Sequence, residues 1–123
     1  MSAVARARAA IGARFRPQGR CIEHGLDCVG LAALAHRLEA PRGYALRGGR
    51  IADVAAVARA GGMVAVTDAR AGDLMLMQVG PGQLHLGIAS EDGMIHADAG
   101  LRQVVERPGE PPWPVIGRWR RED

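Results

Sequence analysis

Leu84-His85-Leu86-Gly87-Ile88-Ala89-Ser90-Glu91-Asp92-Gly93-Met94-Ile95-His96-Ala97-Asp98 carries two periods of alternation around a turn signal. In an extended chain Leu84, Leu86 and Ile88 point to one face and His85, Gly87 and Ala89 to the other. Met94, His96 and Asp98 likewise share one face of the next segment. Glu91-Asp92-Gly93 between them is turn chemistry, so the two segments are expected to form an antiparallel hairpin. Outward from this hairpin the pattern repeats. Turn signals at 71–73, 80–82, 99–100 and 108–109 bound further strand-length segments at 74–79, 101–107 and 115–120. No connection is long enough for a crossover helix, so about five neighbouring strands should pair antiparallel.

Upstream the period is 3.6 rather than 2. Residues 3–14 read as an Ala-rich helix with Val4, Ala7 and Ile11 on one side and Arg on the other. A second helix spans 28–38, with Leu31, Leu34, Ala35 and Leu38 at helical spacing and Asp27 as its N-cap. A third covers 51–60 and ends at Gly61-Gly62. Helices followed by a run of strands predict an α+β domain.

The chain has 123 residues, 48% of them hydrophobic and 24% charged, enough for one core and one domain over 1–123. All 16 basic residues are Arg and the net charge is +3. The sequence lacks Lys and Asn and is rich in Ala and Gly, a compositional bias that makes the charge a poor argument for a nucleic-acid partner. The densest basic stretch, Arg6 to Arg20, has only Phe15 interleaved with it, where stacking on bases asks for several aromatics. No run approaches the length of a membrane span and the N-terminus lacks the apolar core of a signal peptide, so a soluble chain made in the cytoplasm is expected. Two cysteines do not suggest a disulfide scaffold, and both thiols are expected to be free.

Cys28 is the candidate nucleophile. At the first turn of a helix, unsatisfied N–H groups and the positive dipole end are expected to favour its thiolate. His85 and His96 on the strands would supply an imidazole base and the group that orients it. The order and spacing of Asp27-Cys28-Val29-Gly30-Leu31, Ala71-Gly72-Asp73-Leu74, His85-Leu86-Gly87-Ile88 and Ile95-His96-Ala97 resemble the NlpC family of papain-like cell-wall cysteine peptidases, over residues 11–119. Its motifs read approximately Asp-Cys-Ser-Gly-Leu, Pro-Gly-Asp-Leu, His-Val-Gly-Ile and Ile-His-Ala.

The resemblance implies a papain-like fold, with N-terminal helices packed on the sheet, and hydrolysis of an amide bond in a peptidoglycan stem peptide. It implies Cys28 as nucleophile, His85 as general base and then acid, and His96 as orienting residue, with no cofactor and no metal. The short chain is most similar to the small lysins encoded with phage tails and gene transfer agents. Such a protein would be carried in a phage-like tail with other tail proteins and act in the periplasm of the target cell. Where relatives often carry a Tyr ahead of the cysteine, this chain has Phe15, which cannot donate a hydrogen bond. Gln18 is the proposed substitute; a missing oxyanion donor would cost about 2.7–4 kcal/mol of transition-state stabilisation. Val29 stands where relatives tend to have Ser. Arg14, Arg16 or Arg20 would bind a stem-peptide carboxylate beside Asp27.

The triad places a demand on the hairpin. With Asp92-Gly93 as a two-residue turn, His96 would face Ala89 and lie about 13 Å along the strand from His85. A turn centred nearer Ser90 and Glu91, which sets the two imidazoles opposite each other, is therefore expected. The competing metal reading rests on Cys21-x-x-His24-x-x-x-Cys28, but the second ligand pair lacks its usual tight spacing. Cys21 reads instead as a small loop residue, His24 as an exposed loop residue and His36 as a partly exposed helix side chain. Two further readings are a catalytically weak or inactive tail-tip adaptor and an acyltransferase or other amide hydrolase of the same fold.

Overall fold

The computed structural model describes residues 1–40 and 50–121. Helix α1 spans Ala3–Ala9, capped by the Ser2 hydroxyl, which accepts the Ala5 N–H at 3.1 Å. It stops earlier than the sequence pattern suggests. The chain turns at residues 10–13 to pair with the far end of the sheet: Gly12 donates to the Val104 carbonyl and Val104 to the Ala13 carbonyl. Ile11 therefore lies beyond the helix and is exposed rather than on its buried side.

Helix α2 spans Cys28–His36. Arg37 then adopts a left-handed conformation (φ 55°), and the Leu38 N–H returns to the Ala33 carbonyl, which closes the helix two residues before the expected end. This helix buries Cys28, Gly30, Leu31, Ala32, Ala35 and His36, more than one stripe of its surface. His36 is thus a core residue, not a partly exposed one. Helix α3, Ile51–Ala60, has the expected bounds, and Gly61 follows as its C-cap.

Strands β1 (Arg20–Cys21) and β2 (Gly25–Leu26) form a small antiparallel pair just ahead of α2. The main sheet has six strands: β3 (Met63–Ala65), β4 (Leu74–Gly80), β5 (Gln83–Ala89), β6 (Gly93–Asp98), β7 (Gln103–Pro108) and β8 (Val115–Arg121). Their spatial order is β3-β8-β4-β5-β6-β7, antiparallel throughout. Two expectations are corrected. The short edge strand β3 is additional, and β8 pairs with β4 and β3 instead of its chain neighbour β7.

An ion-pair cluster ties β8 to the start of β4. Asp73, fully buried at the start of β4, accepts from Arg118 Nη1 at 3.0 Å, from Arg120 Nε at 2.7 Å and Nη2 at 2.9 Å, and from the Arg70 amide. Burial pushes the Asp73 pKa up, but the partners, Arg120 foremost, more than reverse this and hold it below the ordinary value.

Two clusters of buried apolar side chains lie on opposite faces of the sheet. The larger packs Leu74, Leu76, Leu84, Leu86, Ile88, Ile95, Val104 and Trp119 against the helices through Val4, Ala7, Leu31 and Ala35. The smaller gathers Met75, Met77, Ala89 and Met94, with Trp113 against it. Among the described residues no helix is long and apolar enough to cross a membrane.

Candidate active site

Asp27 is the N-cap of α2, as its sequence position suggests. Its Oδ1 accepts the Gly30 N–H at 2.8 Å and its Oδ2 accepts the Gln18 N–H at 2.8 Å. Gly30 is required here by close approach, because a Cβ on it would stand 2.0 Å from the Gly19 carbonyl oxygen. The Asp27–Gly30 segment is therefore clamped against the 18–19 loop. Arg20 Nη1 lies 3.6 Å from Asp27 Oδ1, and its guanidinium also donates to the Gly19 carbonyl. Gln18 (φ 62°) and Arg20 thus both flank the cap. Phe15 is half-buried against the main core, and its chain neighbours Arg14 and Arg16 are exposed.

Cys28 is the first residue of α2 and only 2% exposed. Burial pushes its thiol up to about 12, although backbone N–H groups of Leu86, Val29 and Cys28 itself pull the other way. The helix N-terminus does not carry the expectation of a resting thiolate, because desolvation of the sulfur outweighs it. The sulfur rests as a thiol.

The Leu86 amide is free for the sulfur because the β5–β6 ladder is short. Ala89 donates to the Asp73 carbonyl on the β4 side, so in a regular strand the even-numbered residues of β5 turn their amides toward β6. Pairing with β6 covers only Ile88↔Ile95 and Ala89↔Met94. Beyond that point Leu86 has no strand partner on its β6 side, and its N–H meets Cys28.

His85 and His96 meet on the opposite side of this gap. His85 Nε2 and His96 Nδ1 are 2.9 Å apart, with ring centroids at 5.1 Å and planes at 84°. The turn beneath them differs from both geometries weighed from sequence. Ser90 donates to the Gly93 carbonyl, so Glu91 and Asp92 form the loop and the register sets His96 opposite Gly87. The imidazoles are diagonal rather than opposite, on the face where Gly87 carries no side chain and Met77 and Met94 close in on it instead. A Cβ at Gly87 would come within 3.1 Å of Met77 Cε.

Burial lowers the pKa of both rings. His85, half-buried, falls to about 4, with His96 adding to the effect and Asp98 opposing it. His96 is buried and also lowered, against the pull of Asp98 and with Arg107 as a lesser contributor. Both are neutral at pH 7. No hydrogen bond joins His85 to the Cys28 thiol among the described residues; the thiol lies beside Leu86, the next residue of the strand.

Two neighbours were not singled out from the sequence. Trp113 stands edge-on to both rings, with centroids 5.6 Å from His85 and 6.0 Å from His96. It sits in the connection between β7 and β8, so no local pattern ties it to the histidines. Asp98 Oδ2 lies 3.8 Å from His96 Nε2. The period-2 spacing from His96 was its available signal. The Cys21 and Cys28 thiols are free, His24 is exposed, and no three His, Cys, Asp or Glu side chains among the described residues are grouped to hold a metal ion.

No protein-family model matches the chain. No curated protein matches it either. Solved structures do. The crystal structure of the NlpC/p60 domain of the peptidoglycan hydrolase SagA is similar over 87% of this chain and 86% of that one, with 28% identity and a TM-score of 0.58. The peptidoglycan hydrolase RipB from Mycobacterium tuberculosis is similar over 96% of this chain, with 20% identity and a TM-score of 0.60; this chain spans 62% of that one. The mixed α+β architecture of this chain, three helices with an antiparallel sheet among the described residues, is the fold of these two neighbours.

Proposed function

We propose that this chain is a cysteine peptidase of the NlpC/p60 kind that hydrolyses an amide bond in peptidoglycan stem peptides. The observation that carries the reading is a single strand, β5, presenting His85 bonded to His96 and, one residue on, the Leu86 amide that meets the Cys28 thiol. The SagA domain shares this fold and is a domain of a peptidoglycan hydrolase.

In the proposed mechanism the Cys28 thiol passes its proton to His85 Nδ1 as the sulfur attacks the substrate carbonyl carbon. The Cys28 N–H, with Gln18, stabilises the oxyanion. His85 returns the proton to the leaving amine, and a thioacyl enzyme remains. Water, deprotonated by His85, then attacks the thioester and releases the new carboxylate and the thiol. A thiol pushed up and an imidazole pushed down by burial favour the neutral pair at rest, so the proposed proton transfer accompanies the attack rather than preceding it. Arg14, Arg16 or Arg20 binds a stem-peptide carboxylate. The resemblance to small tail-encoded lysins extends the proposal to a protein made in the cytoplasm, delivered with a phage-like tail and active in the target cell's periplasm.

The buried thiol favours one second reading, a tail-tip adaptor of weak or no activity. Purified wall sacculi incubated with the protein and with Cys28→Ala, with released fragments identified by mass, decide between them. The peptidase reading expects stem-peptide cleavage by the first protein and none by the second. Equal release removes Cys28 as nucleophile; no release by either supports the adaptor; fragments joined to a new amine mark an acyltransferase.

A further inference from the structure

The His85–His96 contact holds one hydrogen between two nitrogens, and two neutral arrangements satisfy it. In the first, His85 donates from Nε2, leaving its Nδ1 bare, and His96 carries its own proton on Nε2. In the second, His96 donates from Nδ1, its Nε2 is bare, and the remaining proton of His85 sits on Nδ1. Only the first leaves His85 able to accept a thiol proton. We propose that Asp98 is a positioning residue that selects this first arrangement through His96. The inference rests on the reading of His85 as the base.

His96 Nε2 is buried and has no hydrogen-bond partner, and the nearest charge is Asp98 Oδ2 at 3.8 Å. That separation is too long for a direct hydrogen bond but within the range of charge attraction, which the burial of His96 strengthens and the 25% exposure of the Asp98 side chain tempers. An N–H pointing at a carboxylate is attracted; a lone pair pointing at it is repelled. The carboxylate is also held in place, because its other oxygen, Oδ1, accepts the Leu101 N–H at 2.9 Å. Arg107 on β7 is the other charged group that acts on His96; it disfavours an imidazolium, opposing Asp98 in that respect. Trp113 covers both rings with an uncharged surface.

The test compares the wild-type protein with Asp98→Asn and Asp98→Ala, reading ring protonation from histidine 15N NMR at neutral pH and kcat and KM across pH. In the wild type both rings should carry the proton on Nε2. The Asn variant keeps an oxygen for Leu101 but can turn its amide N–H groups toward His96 Nε2, which drives the pair into the second arrangement. Its kcat should fall by roughly 10²- to 10⁴-fold, the upper figure being the loss when a base is locked in the wrong tautomer, with KM little changed. Asp98→Ala should lose less, with the acid limb of its pH profile displaced to lower pH. A role confined to the Leu101 turn predicts the reverse order, Ala worse than Asn, with the ring protons unmoved; that outcome overturns the proposal. So does a wild-type His96 protonated on Nδ1. The NMR reading needs no turnover, so an inactive wild type would defeat the peptidase reading while leaving the Asp98 result to be judged separately.

Discussion

On the helix side of β5, Leu84, Leu86 and Ile88 join a cluster of branched aliphatics closed by α1 and α2; on the other side, His85, Gly87 and Ala89 meet Met75, Met77, Met94 and Trp113. Both sides exclude water, by different means. Branched side chains in fixed rotamers fill the helix side densely, and a lost methyl there leaves a void. Unbranched methionines fill the other side around a missing side chain, and they adapt to what stands beside them. The first face holds the strand in place, and the second gives two imidazoles room to meet.

The largest expected break in this contrast is Ile88→Ala. Ile88 is fully buried, and its truncation should cost about 2–5 kcal/mol in urea unfolding. A smaller loss on the aliphatic side than on the methionine side would reverse the distinction.

Acid should come next, and it acts on both sides. His85 on the methionine side and His36 on the helix side are each lowered to about 4, in both cases by burial first. The Gly72 backbone opposes the shift of His36 without cancelling it. A histidine whose folded pKa lies below its unfolded value binds more protons when unfolded. Its contribution is therefore complete above about 6.5 and is lost as pH falls toward about 4. Unfolding followed across this window should show stability dropping with acid, and His36→Gln should flatten the slope in part while His85 and His96 keep the rest. A slope unchanged in that variant would place the whole effect on the methionine side.

The smallest effect should come from Met77→Leu. Met77 is fully buried beside His85 in the β4–β5 register, yet a near-isosteric exchange on an adaptable face should cost less than about 1.5 kcal/mol by thermal unfolding. A larger penalty would show that the methionine face is as exactingly packed as the other.

What was legible in the sequence depended on whether its cause lay nearby in the chain. Asp27 and Cys28 could be placed at a helix start because the cap and the apolar spacing are neighbours, and β4 to β6 could be read because alternation and turns are local. The early end of α1 could not, because it is imposed by pairing with Val104. Nor could the place of β8, which skips its chain neighbour to pair with β4 and is tied to it by Arg118 and Arg120 on Asp73. At the candidate site, the shared face of His85 and His96 was readable and the burial around them was not. The hairpin register, one step from each alternative considered, depends on which two residues form the loop. The burial that makes Cys28 a thiol comes from packing against the main core, and the Leu86 amide that opposes it is freed by a short ladder that no local pattern announces.

That short ladder has a consequence for anyone who would redesign the domain. An idealised hairpin, with β5 and β6 zipped along their whole length, would look better by every measure of regular structure and would recruit the Leu86 amide for a carbonyl oxygen. The amide left unpaired is the one that eases the Cys28 thiol downward, and a perfected ladder would take that easing away.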